Sequence, residues 1–149
     1  MRRLFVLCSA LLVASCAMQM DLPTGFLRLK ARESGDVRAV TAGDARIWVR
    51  DFAVDEGASL NFWITALRAD LEQARGYRLV PKDVPFVDAA GHKGCLIEGT
   101  IAVGGEVHGY LVSVLQLDGK HLRIAEFSAR EAEFLVHVEA VRTAVTTIR

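Results

Sequence analysis

Cysteine, net charge and long apolar runs are what this chain has least of. Three cysteines in 149 residues cannot build a disulfide framework. Eighteen cationic residues balance eighteen acidic ones. That zero sum removes the usual electrostatic argument for binding nucleic acid or an anionic membrane surface. No G-x-S-x-G nucleophile elbow is present. The glycine-rich stretch from Gly104 to Gly109 lacks the G-x-G-x-x-G spacing and joins two expected strands, so it cradles no phosphate. What is present is ordinary for a folded domain: 52% hydrophobic and 24% charged residues, in a length that suits one domain with its own core.

The N-terminus carries the first positive signal. Met1-Arg2-Arg3 is a short cationic start, and Leu4–Ala14 is an apolar run of about eleven residues. That is well short of the ~20 needed to cross a bilayer as a helix. A basic start, a short apolar stretch and then small residues form a secretory signal. Val13-Ala14-Ser15-Cys16 resembles the lipobox of bacterial lipoproteins, with Val13 in place of the commoner Leu. The resemblance implies cleavage before Cys16 and acylation of its thiol, and often of the new amine as well. Several acyl chains at ~0.8 kcal/mol per buried methylene would make a stable anchor. Ala17 lacks the Asp that resembles an inner-membrane retention signal, so the outer membrane facing the periplasm is favoured. The alternative is an ordinary signal cut after Ala14 or Ala17, with Cys16 incidental.

Removing residues 1–15 leaves 134 residues and takes Arg2 and Arg3 away, so sixteen cationic residues face eighteen acidic ones, a net charge of −2. Cys8 leaves with the signal and Cys16 is the lipidation site. Cys95 remains, and its neighbours Gly94, Leu96 and Ile97 predict a buried thiol. Residues 16–25 read as the lipidated cysteine and tether, and residues 26–149 as a single domain.

Within that domain, strands are expected at Phe26–Ala31, Val37–Ala42 and Ala45–Phe52, separated by turns at Ser34-Gly35-Asp36 and Gly43-Asp44. Leu60, Trp63, Ile64, Leu67 and Leu71 form one apolar stripe on a helix from about Ala58 to Arg75, ended by Gly76. A short edge strand at Phe86–Val87 precedes Gly94–Ala102, Glu106–Leu117 and Lys120–Phe127. Gly104-Gly105 and Asp118-Gly119 suit two-residue hairpin turns. Ser128 with Glu131 reads as a capping box for a last helix. Its stripe is Phe134, Val138, Val141, Val145 and Ile148.

These turns place Leu96, Leu111, Ser113, Leu115, Leu122 and Ile124 on one sheet face. They place Cys95, Ile97, Val112, Val114, Ala125 and Phe127 on the other. Both faces are apolar, so both need a cover. The expected fold is α+β: a mostly antiparallel sheet of about six to seven strands flanked by two helices, an α/β/α sandwich in the order βββ-α-β-βββ-α. That order resembles the PsbP/Mog-type fold, which includes plant photosystem accessory proteins, a Ran-binding protein and small bacterial periplasmic lipoproteins. The resemblance rests on Pro23-x-Gly25-Phe26, Trp48-Val49, the mid-chain helix, Leu117-Asp118-Gly119-Lys120 and the helix after Phe127-Ser128, and covers nearly all of residues 22–149. It implies a fold and a habit of binding proteins, with no shared catalytic residues.

No chemistry-bearing set converges. His92, Cys95, His108 and His121 fall at separate ends and faces of the expected strands, whereas zinc needs about four ligands at ~2 Å. Glu98 and Glu126 are expected to flank Leu111 on one face about 10 Å apart, with Tyr110 on the other face. Sheet-edge carboxylates meeting Lys or Arg from a covering helix explain them better than glycoside hydrolysis. His137 borders the last helix's stripe, and Trp48 and Trp63 read as core. The expectation is a non-enzymatic, membrane-anchored envelope protein that binds an envelope partner, with no cofactor, no metal and no nucleic acid. The alternative is a small-molecule or lipid carrier with a cavity between helix 58–75 and the sheet.

Overall fold

The structure is a computed structural model that describes residues 18–33, 35–55 and 57–149. The signal segment and the lipidation site expected at Cys16 lie outside the described residues. The strands are β1 (Leu27–Arg28), β2 (Val37–Val40), β3 (Arg46–Ala53), β4 (Arg78–Leu79), β5 (Val84–Val87), β6 (Lys93–Val103), β7 (Glu106–Gln116) and β8 (His121–Arg130). Helix α1 (Leu60–Ala69) lies between β3 and β4, and α2 (Glu131–Val145) closes the chain. All pairings are antiparallel, in the order β1-β2-β3-β8-β7-β6, with β4 and β5 sharing the outer edge of β6. The expected sandwich is therefore present, with eight strands among the described residues. The addition is β4, two residues long and too short to carry a period-two pattern.

The two long hairpins close differently. Gly104 and Gly105 both adopt positive φ, 60° and 86°, as a two-residue primed turn demands, and Val103 faces Glu106. Neither Asp118 nor Gly119 has a positive φ. Here the loop holds three residues: Leu117 N–H donates to the His121 carbonyl at 3.0 Å, and Asp118 Oδ1 accepts from Lys120 N–H at 2.7 Å. The β8 register slips by one residue against the two-residue expectation, and a slip of one turns every side chain over. Ala125 and Phe127 thus share a face with Leu96 and Leu111, while Leu122 and Ile124 join Val112 and Val114. That reverses the expected allocation of β8.

Ser128 is not a helix cap. It lies inside β8, between Arg46 of β3 and Tyr110 of β7, and the ladder continues through Ala129 and Arg130. Pairing with β7 satisfies this backbone out to Arg130, which takes the N-cap position without a side-chain cap bond. Glu131 and Glu133 in the first turn complement the helix dipole instead. All five residues of the predicted stripe are buried with Ile47, Leu111, Ala125 and Phe127, although α2 ends at Val145 and Ile148 lies beyond it. Met20, within the stretch read as tether, is buried in the same core, and Gln19 and Arg149 exchange backbone hydrogen bonds of 2.8 and 3.0 Å.

Helix α1 starts at Leu60, two residues after the expected Ala58, because Ser59 takes the N-cap position, its Oγ accepting from Phe62 N–H at 3.2 Å. The turn that continues it, Asp70–Ala74, is a π-turn closed by Arg75 N–H on the Asp70 carbonyl at 3.1 Å, and Gly76 follows at φ 75°. The wider turn seats Leu71 fully inside the core beneath α1. No other residue of the 58–75 stripe is fully buried. The two covers are therefore unequal: α2 is pressed into its face, while α1 rests on β6 and β7 and leaves β3 and β8 partly bare.

Candidate functional site

That offset opens a groove of about 630 Å³ between α1 and the β3–β8 end of the sheet. Trp63 and Leu67 of α1 form one wall, Phe52 and Val54 the other, and Val114, Leu122 and Ile124 the floor. The floor exists because of the β8 register: with the two-residue turn, Leu122 and Ile124 would face α2. Phe62 packs edge-on to Trp63 at 5.1 Å. The Trp63 indole Nε1 is buried without a hydrogen-bond partner, so one donor stands beside a mostly apolar lining whose charged member is Asp55, just beyond β3. The volume falls within the ~300–1,000 Å³ of small-molecule sites. Each methylene seated there would gain about 0.8 kcal/mol, enough for a chain of several carbons to bind.

The carboxylates singled out in the sequence lie on opposite faces, contrary to expectation and for the same reason. Glu98 faces Leu111 on the α2 side and pairs with Arg142 of that helix, the covering-helix cation expected. Glu126 faces Val112 on the α1 side and pairs with Arg50 of β3. Tyr110 shares that face, and its hydroxyl donates to Glu126 Oε1 at 2.8 Å. Burial, reinforced by the Glu126 charge, pushes the Tyr110 phenol far up, so it stays a donor. Trp48 is half-buried on this face rather than in the core. Its Nε1 donates to Asp36 Oδ2 at 3.1 Å, and the Arg50 guanidinium lies 3.8 Å over its ring.

The histidines stay apart. His92 Nδ1 lies 2.8 Å from Asp88 Oδ2. Burial pushes the Asp88 carboxyl up, but hydrogen bonds from His92 outweigh it and hold the group below its ordinary range. His108 faces Ile101 at one end of β7, and His121 meets Asp118 beyond the other. His137 packs its ring on Phe26 at 5.2 Å and lies 3.5 Å from Glu133. Among the described residues no cluster of three or more His, Cys, Asp or Glu side chains is placed to hold a metal ion. Cys95 is buried as its neighbours suggested, and that burial, with the Asp83 charge, pushes its thiol up.

The sequence matches no family model and no curated protein. Solved structures do match. LpqN, involved in cell envelope biogenesis of Mycobacterium tuberculosis, superposes with a TM-score of 0.69 at 11% identity, over 88% of this chain and 82% of that one. CyanoP, the cyanobacterial PsbP of Synechocystis sp. PCC 6803, gives 0.59 at 14% identity over 97% of each chain. The chain has a PsbP-like fold. PA94 of Pseudomonas aeruginosa, a protein of unknown function, gives 0.58 at 16% identity over 88% of this chain and 95% of that one. At such identities the likeness carries the architecture and leaves the site to be argued from its own residues.

Proposed function

We propose that this chain is a non-enzymatic accessory protein of a bacterial cell envelope. It is anchored through acylated Cys16 in the outer membrane, faces the periplasm, and holds the apolar chain of a small molecule or lipid in the α1 groove. The observation that carries this reading is the groove itself: about 630 Å³, mostly apolar, under a helix with no fully buried residue between Leu60 and Ala69. The lipobox resemblance supports the location. So does the shared fold of LpqN, a protein involved in cell envelope biogenesis. A second reading, docking of an envelope protein, is favoured by the neighbouring Leu135 and Val136 on α2, 68% and 73% exposed.

Two measurements test the proposal. Titrating the purified protein with a fluorescent fatty acid is expected to give saturable binding, weakened at least roughly tenfold, or about 1.4 kcal/mol, by Leu67→Arg. Leu135→Ser is expected to leave that binding unchanged. Binding indifferent to Leu67→Arg would remove the carrier reading and send the search to partners crosslinked through α2. Intact mass of the natively expressed protein is expected to show an acylated chain starting at Cys16, lost in Cys16→Ser. An unmodified chain starting elsewhere would remove the anchor.

A further inference from the structure

A second cavity, of about 550 Å³, lies on the same sheet face as the groove. The residues lining it are set by the ladder. Arg38 of β2 faces Trp48 of β3, which faces Glu126 of β8; one step along, Arg46 faces Ser128, which faces Tyr110. Arg50 stands next in line, 3.8 Å from the Trp48 ring and 5.1 Å from Phe52 of the groove. Tyr77, after the π-turn, closes the far side with its ring 4.6 Å from Tyr110.

The charges here are unevenly committed. Glu126 accepts from Tyr110 and pairs with Arg50. Asp44 is taken by Arg46, and Asp36 by the Trp48 indole and the Arg32 backbone N–H. Arg38 is half-buried, yet no carboxylate among the described residues lies within ion-pair distance of it. A partly desolvated guanidinium with no partner favours an incoming anion, and its planar fork suits a carboxylate held by two bonds. Beside it Trp48 and Tyr77 offer flat apolar surface. Arg32, also on the lining, is exposed and its charge is screened by water, so the half-buried charge of Arg38 is the one to be matched, which favours a monoanion over a dianion such as phosphate.

We propose that this cavity, bounded by Arg38, Trp48, Tyr77, Tyr110 and Glu126, binds a small ring-bearing monocarboxylate, its carboxylate on Arg38 and its ring against Trp48 and Tyr77. The site is separate from the apolar groove and stands whether or not the groove carries lipid.

Benzoate serves as the probe, with benzyl alcohol and inorganic phosphate as its uncharged and ringless counterparts. Binding to the purified protein is followed by calorimetry and by the Trp48 indole N–H resonance. Saturable benzoate binding is expected, with benzyl alcohol and phosphate each at least roughly tenfold weaker. Arg38→Gln is expected to weaken benzoate by a similar factor at unchanged melting temperature, and Arg38→Lys to fall between, since it keeps the charge and loses the fork. Leu67→Arg is expected to change nothing here. The proposal fails if benzoate does not saturate at millimolar concentration, if phosphate binds as well, or if both Arg38 variants bind like the wild type. It also fails if Leu67→Arg abolishes benzoate binding, which would put the probe in the groove.

Discussion

Phe127→Ala is expected to remove about 3–5 kcal/mol of stability, and to lower the melting temperature by roughly 10 °C or more. Phe127 is 1% exposed, stacks on Phe134 with centroids 5.2 Å apart, and meets Phe26 edge-on at 6.2 Å. Truncation there opens a void between β8 and α2 that neither neighbour can fill without breaking the stack. Ile124→Ala, three residues earlier on the same strand, is expected to lose only about a third as much. Its side chain is half-buried at the floor of the groove and already lacks partners on one side. Urea denaturation of both variants checks this. Equal losses, or a larger loss at Ile124, would overturn the face assignment of β8 and with it the floor of the groove.

Gly109→Ala is expected to destabilise by about 2–3 kcal/mol, although alanine is the better strand residue at an ordinary φ. A Cβ on Gly109 would stand 2.1 Å from Phe134 Cγ and 2.4 Å from Cδ1. The ring belongs to the stack just described, so it cannot swing aside without losing Phe127. The glycine is there to let α2 approach β7, between Thr100 and Ala129 on the neighbouring strands. Shrinking the ring should relieve the clash. In a double-mutant cycle, Phe134→Leu is expected to recover roughly 1 kcal/mol or more of the Gly109→Ala loss. A neutral Gly109→Ala would mean that Phe134 does not sit over this strand.

Much of the architecture is local in origin. The four-three spacing of Phe134, Val138, Val141 and Val145 specifies a buried helical stripe, because one face of a 3.6-residue helix repeats that way. Gly104-Gly105 specifies its hairpin because only glycine takes two positive φ values in succession without strain. Apolar residues on both sheet faces demand two covers, and two amphipathic helices were available. The sandwich follows from these alone. So does a cavity beneath the first helix as one of two readings, although nothing in its stripe tells a filled core from an open groove.

The groove floor and the pairing of Tyr110 with Glu126 have another origin. A period-two pattern is the same on either face, so Ala125–Phe127 and Leu122–Ile124 could each have met either helix. The choice fell to a three-residue loop held by the Asp118 carboxylate and to the ladder carried on through Ser128 to Arg130. That register is decided by pairing energy summed along the whole of β7 and β8, not by any short stretch of chain. From it come Glu126 beside Tyr110 and the apolar floor of Leu122 and Ile124. The sequence alone therefore determines the layers, the closing helix and the first long hairpin. Which side chains share a face, and hence both cavities, was decided only when the strands met across the sheet.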